Sequence, residues 1–276
     1  MNYTGYKFWH LSEDEMADWY SGKLPAPTDL NINEYLIIQD EEDNIVDKYC
    51  LRENGLKKVL YSCIKNNYCG IIKPRNIYQE LAINMLQTRD APVKIFRGTY
   101  GSGKDYLMSA EAISQIEQGN FNKLVYIRPN VGLANVPDIG YLKGGIDEKL
   151  SWTLAPLWDK FGGEDVVTDM QERGIIELVP LSFIRGRSFE NAIVYVSEGQ
   201  NITKEIAAVI ISRLGENSEL WINGDCHQTD KRIYDDNNGI TAMINTFKGD
   251  PLFQIVYSPL TERSRAAQLA AKLMGE

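Results

Sequence analysis

A glycine-rich turn between a predicted strand and a predicted helix carries the clearest chemistry in this sequence. It occupies residues 98–105, follows the apolar run 93–96 and leads into a helical pattern at 106–113. Glycines let the backbone wrap around an anion with its N–H groups pointing inward, and the helix start adds positive dipole. Lys104 supplies a charge for β- and γ-phosphate oxygens. The sequence therefore predicts a P-loop. Its predicted nucleotide-binding residues are Gly98, Thr99, Tyr100, Gly101, Ser102, Gly103, Lys104, Asp105 and Tyr106.

One residue of this loop differs from the usual P-loop pattern. Asp105 occupies the position at which serine or threonine normally offers a hydroxyl to Mg²⁺. The glycines and Lys104 are retained, so the loop keeps the groups that bind phosphate. A glycine-rich turn that holds no ligand is the alternative interpretation.

An apolar run that ends in an acidic residue follows further along the chain. Residues 192–198 read as a buried strand that ends at Ser197 and Glu198. This is the layout of a Walker B strand, which places a carboxylate where it can polarise the attacking water. Glu198 and Lys104 are therefore predicted catalytic residues. The alternative is that Glu198 only caps the helix that begins near Thr203.

Two glutamines resemble residues of helicase-like ATPases. Gly224 and Asp225 end a strand, and Gln228 follows three residues later. This spacing resembles motif III of superfamily 1 helicases, in which the glutamine reads the γ-phosphate; an ordinary strand-end turn is the alternative. Gln79 precedes the P-loop on a predicted helix. It resembles the glutamine whose amide bonds N6 and N7 of adenine, although a solvated residue fits the same position.

Arginines form three further groups of candidates. Arg185 and Arg187 precede the Walker B strand, whereas Arg128 ends the second strand of the core. Because guanidinium forks suit phosphate oxygens, these three are candidates for binding nucleic acid or nucleotide phosphate. Arg263 and Arg265 begin the last helix and are candidates for stabilising γ-phosphate charge, in cis or from a neighbouring subunit. Solvated or salt-bridged arginines are the alternative in each case.

Alternating patterns of strand and helix position these residues. Predicted strands cover 93–97, 123–128, 175–181, 192–197, 219–223 and 253–257. Predicted helices cover 76–88, 104–118, 147–161, 203–214, 238–247 and 261–274. Such interleaving predicts an α/β fold with a mostly parallel sheet between helices, which binds ligands at the carboxyl ends of its strands.

The first part of the chain has a different texture and is predicted to form a small appended subdomain over residues 1–70. Ser12 and Glu15 have the spacing of a capping box at the start of a helix. Two β-rich runs at 33–39 and 45–49 predict a hairpin, which a third run at 57–61 extends. Nothing in this segment indicates catalysis.

Composition excludes some classes of protein and leaves others open. The chain has 276 residues, a formal net charge of −9 and four cysteines without C-x-x-C spacing. No apolar run approaches the ~20 residues of a membrane span, and no secretory signal pattern opens the chain. The cysteines and two histidines make a zinc site an unfavourable interpretation. We expect a cytoplasmic protein without a membrane partner.

The order of the motifs is more specific than any one of them. Motifs occur in sequence at 73–79, 98–105, 126–129, 140–144, 155–157, 183–187, 197–201 and 224–228. This succession, over residues 71–276, resembles the PhoH-like family of P-loop ATPases, which are related to superfamily 1 helicases. The resemblance implies a RecA/helicase-like P-loop NTPase core, ATP and Mg²⁺ as cofactors, and nucleic-acid partners, RNA before DNA.

The resemblance also has implications for the oligomeric state and for the presence of a nuclease domain. It implies a homo-oligomer, as a hexameric ring, and a possible helicase activity. Some family members carry a PIN nuclease domain ahead of the core, but residues 1–70 are too short for one and lack its spaced acids, so nuclease activity is expected to be absent. The shortened architecture is similar to the phage-associated branch, which would place the protein in the host cytoplasm.

Two departures from the family pattern suggest an exchange of roles. The usual pair has a hydroxyl at position 105 and a carboxylate at position 197, and the two face each other across the metal. Here Asp105 is the carboxylate and Ser197 the hydroxyl. The predicted Mg²⁺ ligands are therefore Asp105, Ser197 and Glu198, directly or through water. At ~4 Å and an effective dielectric of ~20, an uncompensated anion beside the phosphates costs roughly 4 kcal/mol, so a cation must lie between them.

Three functions remain open at this point. The first is an ATPase coupled to nucleic acid. The second is a non-hydrolysing nucleotide-binding interaction module, in which Asp105 weakens metal binding. The third is a P-loop kinase that phosphorylates a small acceptor, against which the helicase-like spacing of Asp225 and Gln228 argues.

Overall fold

Apolar runs and amphipathic patterns alternate along the second half of the chain, and they fold into the strands and helices of an α/β core. The computed structural model describes residues 3–129, 152–225 and 232–262. The N-terminal elements are β1 (Tyr6–His10), α1 (Glu13–Tyr20), β2 (Tyr35–Gln39), β3 (Ile45–Arg52), β4 (Gly55–Lys58), β5 (Ile64–Asn66) and β6 (Gly70–Ile72). The core elements that follow are α2 (Ile77–Gln87), β7 (Val93–Gly98), α3 (Lys104–Glu117), β8 (Lys123–Ile127), α4 (Ala155–Phe161), α5 (Glu164–Glu172), β9 (Ile176–Leu178), β10 (Ala192–Val196), α6 (Lys204–Ile211), β11 (Glu219–Gly224), α7 (Arg232–Asp236), α8 (Gly239–Phe247) and β12 (Phe253–Ser258).

The central sheet has six strands in the order β12-β7-β11-β10-β8-β9. All five pairings are parallel. Residues of β7, β10 and β11 are buried throughout, as is expected when helices cover both faces of a parallel sheet. The predicted α/β class with a mostly parallel sheet between helices is confirmed.

Two hydrophobic clusters lie on opposite faces of this sheet. Successive side chains of a strand point to opposite faces, so Tyr195 joins the cluster beneath α2 and α3, whereas Val194 and Val196 join the cluster beneath α6 and α8. Consequently Ser197, two residues after Tyr195, lies on the face that carries α3. Because of this alternation, the side chain of Ser197 at the end of β10 faces the start of α3, the helix that follows the P-loop.

A second sheet of four strands in the order β1-β2-β3-β4 forms the N-terminal part. The predicted hairpin of β2 and β3 and its extension by β4 are confirmed, as is the capping box of α1 between Ser12 and Glu15. Strand β1 was not predicted. It pairs in parallel with β2, and because the whole of α1 separates the two strands, no turn pattern announces the pairing.

The N-terminal sheet packs on the edge of the core. Tyr35 and Ile37 belong to the same hydrophobic cluster as residues of α2 and α3. The Asn33 side chain donates to the carbonyls of Pro251 and Phe253 at 2.8 and 3.0 Å, and the Thr4 carbonyl accepts from the N–H of Tyr257 at 3.0 Å. The hairpin of β5 and β6 spans residue 70, and the division of the chain there stays a prediction.

Several core elements differ from the predicted ones. The helix α5 was missed because two glycines and an acidic composition hide its pattern, although Val167 and Met170 bury one face of it. The predicted helix at 147–161 is described from residue 155, after a short 3-10 turn at Trp152–Leu154. The predicted helix at 261–274 lies almost wholly outside the described residues. No helix of the described residues has the length and hydropathy to cross a membrane.

Candidate functional site

The P-loop follows β7 and leads directly into α3, as its sequence predicts. Gly101 and Gly103 have positive φ angles of 74° and 83°, a conformation that glycine adopts without strain. The Lys104 ammonium donates to the carbonyl of Thr99 at 3.0 Å, so it lies across the loop that it is predicted to serve. The hydroxyl oxygens of Thr99 and Ser102 are buried, and they have no hydrogen-bond partner among the residues that the structure describes. Unsatisfied polar atoms at such a loop fit a site that a ligand completes.

A cavity of about 710 Å³ opens beside the P-loop. Its lining includes four of the predicted nucleotide-binding residues, Gln79, Gly101, Gly103 and Tyr106. Ligand pockets generally measure ~300–1,000 Å³, so the cavity has room for the base and ribose of a nucleotide. The structure thus brings Gln79 to the phosphate cradle, although it is 25 residues away from Lys104 in the chain.

Gln79 also holds the P-loop in shape, which the sequence did not indicate. Its side-chain amide donates to the carbonyl of Ser102 at 3.0 Å and accepts from the N–H of Arg75 at 2.9 Å. An amide carries two N–H groups and two acceptor lone pairs, so one of each is left for adenine. The N-cap Asn76 is linked to the loop through Glu262, because the Asn76 side chain donates to Glu262 at 2.6 Å and the N–H of Glu262 donates to the carbonyl of Gly101 at 2.8 Å.

The predicted partners Asp105 and Ser197 are in contact. The Ser197 hydroxyl donates to Oδ1 of Asp105 at 3.2 Å. Ser197 is fully buried at the end of β10, and Asp105 is half-buried in the first turn of α3. The carboxylate and the hydroxyl therefore meet at the end of the P-loop, as the exchange of roles requires.

Three side chains that the sequence did not single out complete the surroundings of Asp105. Lys160 on α4 forms an ion pair with Oδ2, the Tyr195 hydroxyl donates to Oδ1, and the Asn223 amide donates to Oδ1 at 3.0 Å. Burial has the largest effect on the Asp105 carboxyl and raises its pKa, but the Lys160 charge and the hydrogen bonds from Lys160 and Tyr195 together hold the pKa below its ordinary value. Asp105 is therefore an anion whose charge is already balanced by a cation of the protein.

Only one of these three residues carries a sequence signal. Asn223 is a polar residue near the carboxyl end of an otherwise apolar strand and is 1% exposed, so its side chain must have a partner. The side chain of Tyr195 points to the same face of the sheet as that of Ser197. A tyrosine in a strand, however, more often packs in the hydrophobic core than contributes to a site. Lys160 ends a short helix and has the appearance of a solvated residue until the fold brings it to Asp105.

The Glu198 backbone is held in a rarely used conformation. Its φ of 59° and ψ of 44° lie in the left-handed region, which costs a non-glycine residue about 1–2 kcal/mol. The N–H of Glu198 donates to Oδ1 of Asn223 at 2.8 Å, so the same side chain that binds Asp105 also fixes Glu198. Gly199 follows in the sharp turn, where a Cβ would come within 2.9 Å of the Asn223 carbonyl. Strained residues of this kind concentrate at functional sites.

The Glu198 carboxylate has two neighbours that connect it to other motifs. Gln200 donates to its Oε2 at 2.7 Å and accepts from the N–H of Asp225 at 3.2 Å. Arg128 approaches its Oε1 at 4.0 Å. Gln200 was not predicted, and it links the Walker B carboxylate to the turn that ends β11. Arg128, which follows β8, therefore lies beside the Walker B carboxylate rather than on a separate surface.

The remaining candidates lie elsewhere. Arg187 forms an ion pair with Glu177 at 2.5 Å and stacks near Phe189. Arg185 is exposed and lines a groove with residues of α6. The structure does not bring either of them to the P-loop, so they stay candidates for a nucleic-acid surface only. Gln228, Arg263 and Arg265 lie outside the described residues.

The donor set at the end of the P-loop fits a hard cation. Asp105 and Ser197 offer a carboxylate and a hydroxyl oxygen side by side, which suits the oxygen preference of Mg²⁺. Within the described ranges, no group of three or more histidine, cysteine or acidic side chains forms a metal cluster. A divalent ion here would therefore depend on phosphate oxygens and water for its other ligands, as is usual for Mg²⁺ at nucleotide sites.

The Lys160 ion pair leads to a testable expectation. Replacing Lys160 with methionine should lower the free energy of unfolding by about 1–3 kcal/mol in metal-free buffer, since Asp105 would keep its charge with hydrogen bonds alone to stabilise it. Added Mg²⁺ and nucleotide should restore most of this loss, because a cation would replace the ammonium. Urea denaturation with EDTA, and with Mg²⁺ and nucleotide, measures both quantities.

Lys57 is a suitable control because it is exposed on β4. Its replacement with methionine should change stability little under either condition. If the Lys160 variant lost the same stability with and without Mg²⁺ and nucleotide, the ion pair would be a structural contact that has no relation to the metal.

Comparison with known proteins agrees with this geometry. The model of the PhoH family, described as PhoH-like protein, matches residues 71–273. Protein PhoH2 of Bacillus subtilis (strain 168) is 30% identical over 291 aligned residues, which cover 99% of this chain and 64% of that protein. A PhoH-like protein of the same strain is 36% identical over 136 residues, or 48% of this chain and 42% of that protein.

A third relative extends the agreement to another bacterial group. The PhoH-like protein of Synechocystis sp. (strain ATCC 27184 / PCC 6803 / Kazusa) is 32% identical over 167 residues, covering 59% of this chain and 50% of that protein. The chain spans 47% to 64% of the length of three PhoH2 relatives. The matched residues include the P-loop and all six strands of the parallel sheet, the Walker B strand among them. The chain therefore belongs to the PhoH family, an ATPase-like family of P-loop proteins.

Proposed function

We propose that this protein binds ATP at the P-loop and hydrolyses it in a Mg²⁺-dependent reaction coupled to nucleic acid, with RNA favoured over DNA. The observation that carries the proposal is the contact of Asp105 with Ser197, beside Glu198 in its strained turn. It supplies a metal-binding pair and a catalytic carboxylate at the end of the phosphate cradle. We further propose that the protein acts as a homo-oligomer, a hexameric ring by resemblance to its family.

Each residue of the site has a definite part in this proposal. Lys104 leaves the Thr99 carbonyl and binds β- and γ-phosphate oxygens. Asp105 and Ser197 would hold Mg²⁺, which when bound neutralises charge between those phosphates. Glu198 orients the attacking water and accepts its proton, and the N–H of Glu198 stays anchored on Asn223. Arg128 lies close enough to Glu198 to contact the γ-phosphate side of the site.

The proposed coupling to nucleic acid is supported by one hydrogen-bonded connection, which Gln200 makes between two motifs. Gln200 joins the Glu198 carboxylate to the backbone of Asp225, the residue that begins the helicase-like pattern ending at Gln228. A change at the γ-phosphate can therefore be transmitted to the segment after β11. Helicase activity and the preference for RNA belong to the proposal through this pattern and through family resemblance.

A second candidate function has its own observation. Asp105 is already balanced by Lys160 and satisfied by three hydrogen-bond donors. If that arrangement persists when nucleotide binds, the protein is a nucleotide-binding interaction module that turns over ATP slowly or not at all.

Steady-state ATP hydrolysis with Mg²⁺, measured alone, with RNA and with single-stranded DNA, distinguishes the two functions. We expect turnover that RNA stimulates and that Lys104→Ala abolishes. Binding of a fluorescent ATP analogue should be measured in parallel. Binding without turnover in any condition would support the interaction module, whereas equal turnover with and without nucleic acid would contradict the proposed coupling.

A further inference from the structure

A second cavity, of about 400 Å³, lies between the N-terminal segment and α8. It shares no lining residue with the cavity beside the P-loop. Its walls come from β1 and the residues before it, from the end of β7, and from one side of α8. Three cationic side chains line it, Arg97, Lys7 and Lys248, against one carboxylate, Glu34.

Arg97 is the unusual residue of this cavity. It is 5% exposed, and its guanidinium stacks 4.6 Å from the ring centroid of Tyr257, its neighbour on β12. Within the described part of the chain, the guanidinium of Arg97 forms no side-chain hydrogen bond or ion pair. Arg97 lines the cavity, so the N–H donors that its stacked guanidinium does not use within the protein face the space that a ligand would occupy.

Arg52 shows how the same chain treats a buried arginine that serves only the fold. It is 8% exposed. Its guanidinium donates to Asn33 at 2.6 Å and to Gln254 at 3.2 Å, and it pairs with Asp90 at 3.4 Å. Arg97 has none of these partners and instead lines a solvent-connected cavity. The difference indicates that the partner of Arg97 comes from outside the protein.

The other charges of the cavity define the chemistry of that partner. One oxygen of the Glu34 carboxylate is held by Asn31, since Oε2 accepts from the N–H and the side chain of Asn31 at 2.8 and 2.7 Å. Lys7 pairs with Asp29 at 2.6 Å at the rim, and the Lys248 ammonium stands 4.9 Å from the ring centroid of Tyr3. The balance favours an anion. A guanidinium with ammonium groups beside it suits a phosphate.

Aromatic side chains in the walls of the cavity indicate which kind of phosphate compound it would bind. Tyr3 and Tyr6 line the cavity close to the cations, and tyrosine rings are surfaces on which bases stack. A cavity of this size is within the usual range for small ligands. We propose that Arg97 anchors the phosphate of a nucleotide unit at this second site, the unit being either a free nucleotide or part of a nucleic-acid strand.

The test uses the full chain with Arg97→Met as the main variant. Arg89→Met is the matched control, because Arg89 also stacks on an aromatic ring, Phe121, but does not line the cavity. Lys104→Ala, which weakens phosphate binding at the P-loop, distinguishes binding at this cavity from binding at the P-loop. The probes are inorganic phosphate, AMP and a short fluorescein-labelled oligouridylate, all at one ionic strength, and the measurements are melting temperature and fluorescence anisotropy.

We expect phosphate and AMP to raise the melting temperature of the wild type and of Lys104→Ala, but not of the double variant Lys104→Ala with Arg97→Met, in which both sites are removed. AMP affinity should fall about tenfold or more in Arg97→Met, as loss of charge-assisted hydrogen bonds predicts, and little in Arg89→Met. Without ligand, Arg97→Met should melt close to the wild type, because the methionine side chain keeps apolar packing on Tyr257. Parallel loss of oligouridylate binding would identify a strand as the source, whereas unchanged oligouridylate binding would identify a free nucleotide.

Two results would overturn the proposal. One is equal AMP binding by the wild type and Arg97→Met, or an equal loss in Arg89→Met. The other concerns Arg97→Lys, which retains the charge without the fork and takes the place of Arg97→Met if that variant does not fold. AMP affinity of Arg97→Lys below that of the wild type supports the site, and unchanged affinity contradicts it.

Discussion

Replacing Glu198 with glutamine is expected to reduce ATP turnover by about 10²–10⁴-fold, the usual contribution of a positioned general base. Glutamine keeps the size of the side chain and its contact with Gln200, but it cannot accept a proton from water. Nucleotide binding should change little, because Glu198 lies beyond the phosphate cradle on the next-but-one strand. Turnover and binding of a fluorescent ATP analogue measure the two effects separately.

Glu216→Gln is the matched control for this change. Glu216 is exposed and precedes the amino end of β11, whereas the P-loop follows the carboxyl end of the parallel neighbour β7. It should leave turnover unchanged. Comparable turnover in Glu198→Gln and the wild type would reduce Glu198 to a residue that shapes the turn after β10, and the left-handed backbone would then need another explanation.

The exchange of roles between Asp105 and Ser197 predicts a loss for each single change. Asp105→Thr leaves Lys160 without its carboxylate and removes the anion to which the Ser197 hydroxyl donates. Ser197→Asp places a second carboxylate about 3 Å from the first, and two such groups cannot both ionise without cost. Each change should lower Mg²⁺-dependent turnover about tenfold or more.

Much of the fold was predictable because its signals are local. The six core strands are short apolar runs with helices between them, and the P-loop is a continuous segment whose glycines and lysine define it. The capping box at Ser12 and Glu15 is local in the same sense. Strand β1 was not predictable in this way, since its partner β2 lies beyond a whole helix and its pattern of exposure is mixed.

The candidate site was predictable only in part, because contacts between residues that are far apart in the chain leave no local sequence pattern. The pairing of Asp105 with Ser197 followed from two departures that complement each other chemically. Lys160 and Asn223 could not be assigned, because they reach Asp105 from 55 and 118 residues away and no spacing rule relates them. Gln79 was expected to read adenine, but its contact with the Ser102 carbonyl depends on how α2 meets the P-loop.

The most direct test of the account is the turnover of the double variant Asp105→Thr with Ser197→Asp, compared with both single variants under saturating Mg²⁺ and ATP. The double variant restores one hydroxyl and one carboxylate, in the opposite positions. It should exceed the product of the two single losses by about tenfold or more, a coupling of roughly 1.4 kcal/mol. Losses that simply multiply would show that Asp105 and Ser197 do not share one cation, and the proposed mechanism would be wrong at its centre.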